Sequence, residues 1–177
     1  MPLSVSAVAD AILAKSAARG EKISSMKLQK LLYYAQGEHL AATGELLFDE
    51  PIKAWKLGPV VPSIWHKHGR NFAIPAPQDV PAVPVFFDRT ISRVLDQYLG
   101  FSAEQLSAMT HREQPWKSAR AKSDGSAPIS IQSLSAHFGK VREARLAERP
   151  PDTSPGFTKG HTAKFIERHA LLFQRLA

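Results

Sequence analysis

The side chains in this sequence that could take part in chemistry are mainly histidines. His66 and His68 are one residue apart, as are His111 and Glu113. Imidazole and carboxylate groups can together ligate a metal ion. His66 and His68 fall on a segment predicted as helical, where residues i and i+2 point in different directions, so a shared metal would require non-helical backbone. The spacing of His111 and Glu113 presents the same problem. We therefore predict neither a metal nor any other cofactor.

No familiar catalytic motif accompanies these groups. The sequence contains no Gly-x-Ser-x-Gly elbow, no glycine-rich phosphate loop and no His-Glu-x-x-His. It also contains no cysteine, which excludes thiol catalysis and suits a reducing compartment. We expect a cytoplasmic binding protein rather than an enzyme, with a metal-dependent hydrolase as a distant alternative.

Positive charge is concentrated near the C-terminus. The formal net charge is +7, and residues 139–177 contribute eight Lys or Arg against four Asp or Glu, a net +4. Such a field attracts nucleic acid or an acidic partner, although a solvated helix face carries the same pattern. No uncharged apolar stretch reaches about 18 residues, so we predict no membrane span.

The spacing of apolar residues predicts a mainly α fold: a compact multi-helix domain with a short extended or β element and an appended C-terminal helix. Capping serines, helix-starting prolines and helix-ending glycines mark the boundaries. The predicted helices cover residues 4–19, 24–43, 62–69, 88–99, 102–110, 129–138 and 162–176, with a further short one opening at Pro115 and an extended segment at 52–57.

The predicted second helix has the clearest pattern. Its apolar stripe at helical spacing consists of Leu28, Leu31, Leu32 and Ala35. Lys27 and Lys30 fall off that stripe. Adjacent Tyr33 and Tyr34 lie about 100° apart around the helix, so one can face the core and the other the rim. We take Lys27, Lys30 and Tyr34 as candidate partner-binding residues.

Further partner-binding candidates are aromatic or amphipathic residues outside that helix: Trp65, His66, His111, Phe165, Ile166, His169 and Phe173. Trp65 and His66 lie beside a predicted groove next to the proline-rich segment 75–84. The last four form an apolar face of the predicted helix 162–176. That face must bury against the core, a second copy or a partner.

The segment from Thr110 to Trp116 has two interpretations. In the packing interpretation, Pro115 opens a new helix and Trp116 anchors the corner by its indole N–H. Glu113 or Gln114 would then satisfy free backbone N–H groups at the helix start. In the other interpretation, the polar groups of this segment contact a partner.

Three blocks of sequence, taken in order, resemble the Panacea antitoxin domain family. They are residues 26–37 (MKLQKLLYYAQG), 54–62 (AWKLGPVVP) and 106–116 (LSAMTHREQPW). The resemblance covers about residues 5–138 and is greatest to the SocA-type antitoxins. The motif positions, which we interpret as structural, are Leu28, Leu31, Tyr33, Trp55, Gly58, Pro59, Thr110, Pro115 and Trp116.

The resemblance implies a non-catalytic antitoxin encoded beside a toxin, so the expected partner is that cognate toxin protein. Most members of the family are taken to neutralise by direct binding. The SocA type instead delivers its toxin to the ClpXP protease, which implies ClpX as a second partner. A nucleic-acid-binding regulator, suggested by the net charge of +7, is the alternative from another class.

The family pattern does not account for the end of the chain. Residues 149–160 have the proline- and glycine-rich composition of a linker. We therefore divide the chain into a Panacea-like domain, 1–138, and a basic linker with an amphipathic helix, 139–177. A tethered helix could supply the second binding surface that an adaptor needs.

Overall fold

The computed structural model describes residues 1–148. Within them, the elements in chain order are α1 (Val5–Ala18), α2 (Ser25–Thr43), β1 (Lys53–Trp55), β2 (Gly58–Val60), α3 (Pro62–His68), α4 (Val85–Tyr98), α5 (Ala103–Arg112), α6 (Gln114–Lys122) and α7 (Ile131–Ala147). The prediction of a mainly α fold with a small β element is confirmed. No helix in this part of the chain has the length and apolar character needed to cross a bilayer.

Helix α2 is the centre of the fold. Helices α1, α3, α4, α5 and α7 and strand β2 all pack against it. Every residue from 28 to 40 is buried. A helix with one solvated face buries only one stripe of side chains. Because α2 is covered all round, the polar residues beside its leucine stripe are buried as well.

The helix starts predicted from serine are confirmed. The hydroxyls of Ser4, Ser24 and Ser102 each accept a hydrogen bond at 3.2 Å from the backbone N–H three residues later. These bonds satisfy N–H groups that have no partner within the first turn. At the other end of α2, Gly44 adopts φ +76° and closes the helix.

Several element boundaries differ from the predictions, including the start of α4 and the extent of the β element. Helix α4 begins at Val85 rather than Asp88, because Pro84 can occupy the N-cap position and its fixed φ does not oppose the helix. The turn after Trp55 leads into a second strand, β2, that pairs antiparallel with β1 in the register Lys53↔Val60 and Trp55↔Gly58. The extended segment is therefore a short hairpin.

Helix α7 continues through residue 138 to Ala147, so the division placed at residue 138 falls inside a helix. Phe138 and Val141 of this helix are buried. Further along, Arg145 donates hydrogen bonds to Glu38 Oε1 at 2.5 Å and to the Tyr98 hydroxyl at 2.8 Å. Residues 139–148 thus pack on the domain. The predicted linker 149–160 and helix 162–176 lie outside the described residues.

Candidate functional site

The three motif blocks meet in one place. Helix α2, the β1–β2 hairpin and the corner between α5 and α6 are in mutual contact. The hairpin has only three residue pairs of its own, and an isolated two-stranded hairpin is marginally stable. Its shape is therefore held by side chains of the surrounding helices.

Helix α2 binds the second strand of the hairpin. Lys30 Nζ donates to the backbone carbonyl of Pro59 at 3.2 Å, and Gln29 Oε1 accepts from the Val61 N–H at 2.7 Å. Gly58 has φ +108°, and a Cβ there would lie 2.6 Å from Lys30 Cε. Gly58 is therefore required for two reasons: its positive φ disfavours other residues, and a side chain would collide with Lys30.

The α5–α6 corner binds the first strand and the tip. Ser107 Oγ donates to the Leu57 carbonyl at 2.9 Å, and Trp116 Nε1 donates to the Trp55 carbonyl at 3.0 Å. The predicted anchoring role of the Trp116 indole is confirmed. With carbonyls 55, 57 and 59 all bound by side chains, the two residues of the tip, Lys56 and Leu57, are held in place while their side chains are exposed.

Lys30 is a buried cation at the base of the hairpin. Its side chain is 1% exposed, and the Pro59 carbonyl is its hydrogen-bond acceptor among residues 1–148. Burial lowers the pKa of Lys30 to about 7 because the interior disfavours the charged form. Lys30 thus lies inside the domain. Its prediction as a residue that contacts a partner at the surface was wrong, because its side chain is buried.

Glu113, which lies between α5 and α6, is also buried. Its carboxylate accepts hydrogen bonds from the Tyr33 hydroxyl at 2.7 Å and the Tyr34 hydroxyl at 3.0 Å. Burial raises the pKa of Glu113 to about 7, although both tyrosine hydrogen bonds lower it. The predicted role of Glu113 as a helix cap is wrong: α6 has no side-chain cap, and the carboxylate points into the core.

His137 of α7 approaches the same carboxylate, with Nε2 3.5 Å from Glu113 Oε2. Burial, with Lys140 and Arg145 nearby, lowers the pKa of His137 to about 4. The histidine is therefore neutral at pH 7 and the contact is not an ion pair. Tyr34 stacks on Tyr98 with ring centroids 4.0 Å apart, which links this cluster to Arg145 and Glu38.

These groups form a hydrogen-bonded network inside the domain. Tyr33 and Tyr34 are both fully buried, and burial beside Glu113 raises the pKa of both hydroxyls. General acid–base catalysis requires a group within reach of a substrate, and the tyrosine hydroxyls and the Glu113 carboxylate are buried. Among residues 1–148, no three His, Asp or Glu side chains are placed to share a metal ion.

One partly exposed surface of the domain contains all three tryptophans of the chain. Trp55 and Trp65 meet edge to face with ring centroids 6.1 Å apart. Trp116 lies against the His111 ring at 4.2 Å. All four rings are partly exposed. We call this surface, formed by Trp55, Lys56, Leu57, Trp65, His111 and Trp116, the tryptophan face.

The predicted partner-binding residues fall into four groups. Trp65 and His111 lie in the tryptophan face, and His66 is an exposed neighbour on α3. Lys27, half-buried, donates to the Leu99 carbonyl at 2.6 Å. Tyr34 is buried like Lys30, so its prediction for the rim was wrong. Phe165, Ile166, His169 and Phe173 lie outside the described residues.

Sequence reasoning does not single out Lys56 and Leu57. Leu57 is 62% exposed, although it is a large apolar residue. The available signal is its place directly before Gly58-Pro59, since an apolar residue at a tight turn cannot be buried by its own strand. The alternation of residues 52–57 by itself indicates only an extended segment.

Comparison with known proteins relates this chain to antitoxins. Residues 28–79, which contain most of α2, the hairpin and α3, match the family described as Antitoxin SocA-like, Panacea domain. A curated relative, Antitoxin SocA of Caulobacter vibrioides (strain NA1000 / CB15N), is 43% identical over 65 residues, which is 37% of this chain and 35% of the relative. The predicted resemblance is confirmed.

The family match covers a shorter part of the chain than the three sequence blocks do. It ends at residue 79, so the third block, 106–116, and α4 to α7 lie outside it. The aligned part spans about a third of the length of the curated relative. No solved structure matches the chain.

Proposed function

We propose that this chain, whose residues 28–79 carry the SocA-like Panacea match, is a cytoplasmic antitoxin that binds a cognate toxin protein. The observation that carries the proposal is where the match falls. It covers the central helix, the hairpin and α3, and side chains from the third motif block, Ser107 and Trp116, hold that same hairpin. The three motif blocks are thus parts of a single structural unit.

The buried network supports a binding role rather than a catalytic one. The ionisable groups with the largest pKa shifts, including Lys30 and Glu113, are enclosed in the core. The accessible part of the unit consists of indole, imidazole, leucine and lysine side chains. Its three indoles are of the residue type that dominates many protein–protein contacts.

We further propose that the antitoxin acts as an adaptor that delivers its toxin to ClpXP. The support is the similarity to Antitoxin SocA together with the adaptor mechanism that the SocA type implies. An adaptor must hold cargo and protease at the same time, so it needs two separate surfaces. The domain offers one in the tryptophan face, and residues 149–177 are available for the other.

Co-expression tests both levels of this proposal. The protein encoded by the gene adjacent to that of this chain is expressed in bacteria, with and without the chain, and growth is recorded. Rescue of growth by the full chain is expected. If the adjacent product is toxic and the chain does not rescue growth, the antitoxin proposal fails.

The half-life of the adjacent product then separates two mechanisms of neutralisation. A shorter half-life in the presence of the chain, which disappears in cells without ClpX, supports the adaptor. Rescue that persists in cells without ClpX, with an unchanged half-life, would instead show direct neutralisation by binding.

A further inference from the structure

We propose that the tryptophan face is the toxin-binding surface and that it fits an acidic protein surface with an apolar pocket for Leu57. This inference rests on the proposed antitoxin function and adds the location and the chemistry of the contact. It is carried by three observations: the exposed apolar tip, the rigid support beneath it and the charge around it.

The apolar part of the face has the composition of an interface hot spot. Leu57 is 62% exposed at the tip, and the partly exposed rings of Trp55, Trp65 and Trp116 surround the base of the hairpin. Tryptophan is enriched among the residues that dominate binding energies. The Trp116 indole N–H, in contrast, is used within the domain, where it donates to the Trp55 carbonyl.

The support beneath the tip reduces the cost of binding. Backbone carbonyls 55, 57 and 59 are each fixed by a side chain from a different helix, namely Trp116, Ser107 and Lys30. A loop that is already held in one conformation loses little conformational entropy when a partner binds it. Leu57 can therefore act as a preorganised anchor.

The segments that carry the face are basic, and the acidic residues next to them are Asp10, beside Lys67, and Asp124, whose carbonyl accepts from Arg120. Residues 53–68 and helix α6, which supply every member of the face except His111, contain no Asp or Glu. Their cations are Lys53, Lys56, Lys67, Lys117, Arg120 and Lys122. Lys67 alone among these lies in a salt bridge of the described residues, 3.3 Å from Asp10. A surface of this kind attracts a partner with the opposite charge and repels one with the same charge.

The charge also decides between possible occupants. The segment 149–177 has five Lys or Arg and two Asp or Glu, a net +3, and the whole chain carries +7. A net positive charge on the tail of this chain and on a second copy of it disfavours both as occupants. Nucleic acid has the right charge, but Trp116 is covered by His111 and Trp55 meets Trp65 edge to face, so the rings offer no open platform for stacked bases. A foreign acidic protein fits best.

The test measures binding of the full chain to the product of the adjacent gene by titration calorimetry. Leu57→Asp places a carboxylate at the anchor, and the double variant Lys56→Glu with Lys117→Glu reverses charge at two exposed positions of the face. The matched controls are Ile131→Asp, at another exposed apolar residue, and Lys22→Glu, at an exposed lysine elsewhere. We expect both face variants to weaken binding at least about tenfold and both controls to change it less than about twofold.

The possible outcomes separate the two proposals. Wild-type binding that is unchanged in Leu57→Asp would overturn the tryptophan face as the contact while the antitoxin function stands. Failure of the wild-type chain both to bind the adjacent product and to rescue cells from it would overturn the antitoxin function itself. Tight, salt-dependent binding of a 20-base-pair DNA duplex that Lys56→Glu with Lys117→Glu abolishes would identify the face as a nucleic-acid site and overturn the proposal.

Discussion

Gly37 of α2 lies directly against the ring of Phe138 in α7. A Cβ on residue 37 would be 2.2 Å from both Cδ2 and Cε2 of that ring. Carbon atoms in favourable contact are about 3.5–4.0 Å apart. The close approach of α7 to the central helix thus depends on the absence of a side chain at this position.

Gly37→Ala is expected to destabilise the protein by about 1–3 kcal/mol, because the Phe138 ring must move out of a packed core. Helix propensity alone would favour alanine by about 1 kcal/mol. The matched control is Gly139 in α7, where an added Cβ would meet no other atom within 4 Å. Urea unfolding should show that Gly139→Ala stabilises the protein. A stabilising Gly37→Ala would contradict the close contact.

Gly58→Ala is expected to cost more than Gly44→Ala. Both glycines have positive φ, +108° and +76°, so alanine is strained at each by about 1–2 kcal/mol. A Cβ at residue 44 meets open space, whereas one at residue 58 collides with Lys30 and Thr110. The difference in unfolding free energy between the two variants measures the packing beneath the hairpin. Equal costs would mean that Lys30 moves aside freely.

The starts of α1, α2 and α5 and the end of α2 could be predicted because they depend on local chemistry. A serine hydroxyl that caps α1, α2 or α5 acts within three residues, and Gly44 ends α2 by its own backbone conformation. The burial of Lys30 and Tyr34 could not be predicted in the same way. Their burial depends on how many elements pack around α2. Hydrophobic periodicity identifies the apolar face of a helix but does not indicate what packs against its other faces.

Lys30→Met should remove a pH dependence of stability above neutrality. The pKa of Lys30 is about 7 in the folded chain against 10.5 for a free lysine. Between these values the unfolded state binds the proton and the folded state does not, so stability rises with pH, by roughly 2–4 kcal/mol from pH 7 to 10. Urea unfolding across this range should show the rise in the wild type and lose it in Lys30→Met. The exposed Lys56→Met should keep it.

Glu113→Gln should change the pH dependence below neutrality, in the opposite sense. The folded pKa of Glu113 is about 7, above the ordinary value of 4.5, so the folded state binds the proton more tightly than the unfolded state. The resulting stabilisation is complete below pH 4.5 and is lost as the pH rises to about 7. The glutamine variant should not show this loss between these two pH values, because it does not titrate. Exposed Glu143→Gln is the control, and a wild-type slope that survives in Glu113→Gln would contradict the prediction.

Arg145→Met should destabilise the protein by about 3–5 kcal/mol. It would leave Glu38, which is 5% exposed, with the Tyr98 hydroxyl at 3.4 Å as its one remaining side-chain donor among residues 1–148. Adding Glu38→Gln should recover part of the loss, because the uncompensated buried charge disappears. Arg142→Met, one turn earlier on the same helix, should have a small effect. A double variant no more stable than Arg145→Met would argue against this pairing.

Only part of the candidate site could be predicted from the sequence. The anchoring indole of Trp116 follows from its position after Pro115 at a helix start, and the resemblance marks Trp55, Gly58 and Pro59. The convergence of Trp55, Trp65 and Trp116 involves residues up to 61 positions apart. The local sequence around each tryptophan does not indicate that the other two lie near it. For the same reason, local reasoning assigns Glu113 to the nearest helix end rather than to the tyrosines of α2.

The side-chain bonds to the hairpin also set when it can form. Ser107 reaches back 50 positions to Leu57, and Trp116 reaches back 61 to Trp55. Contacts that close such long loops form late in folding. During synthesis the tip leaves the ribosome well before the residues that fix it, so we expect it to acquire its shape only after α6 has been made. A partner that recognises this tip would then engage chains that extend past α6 and ignore shorter ones.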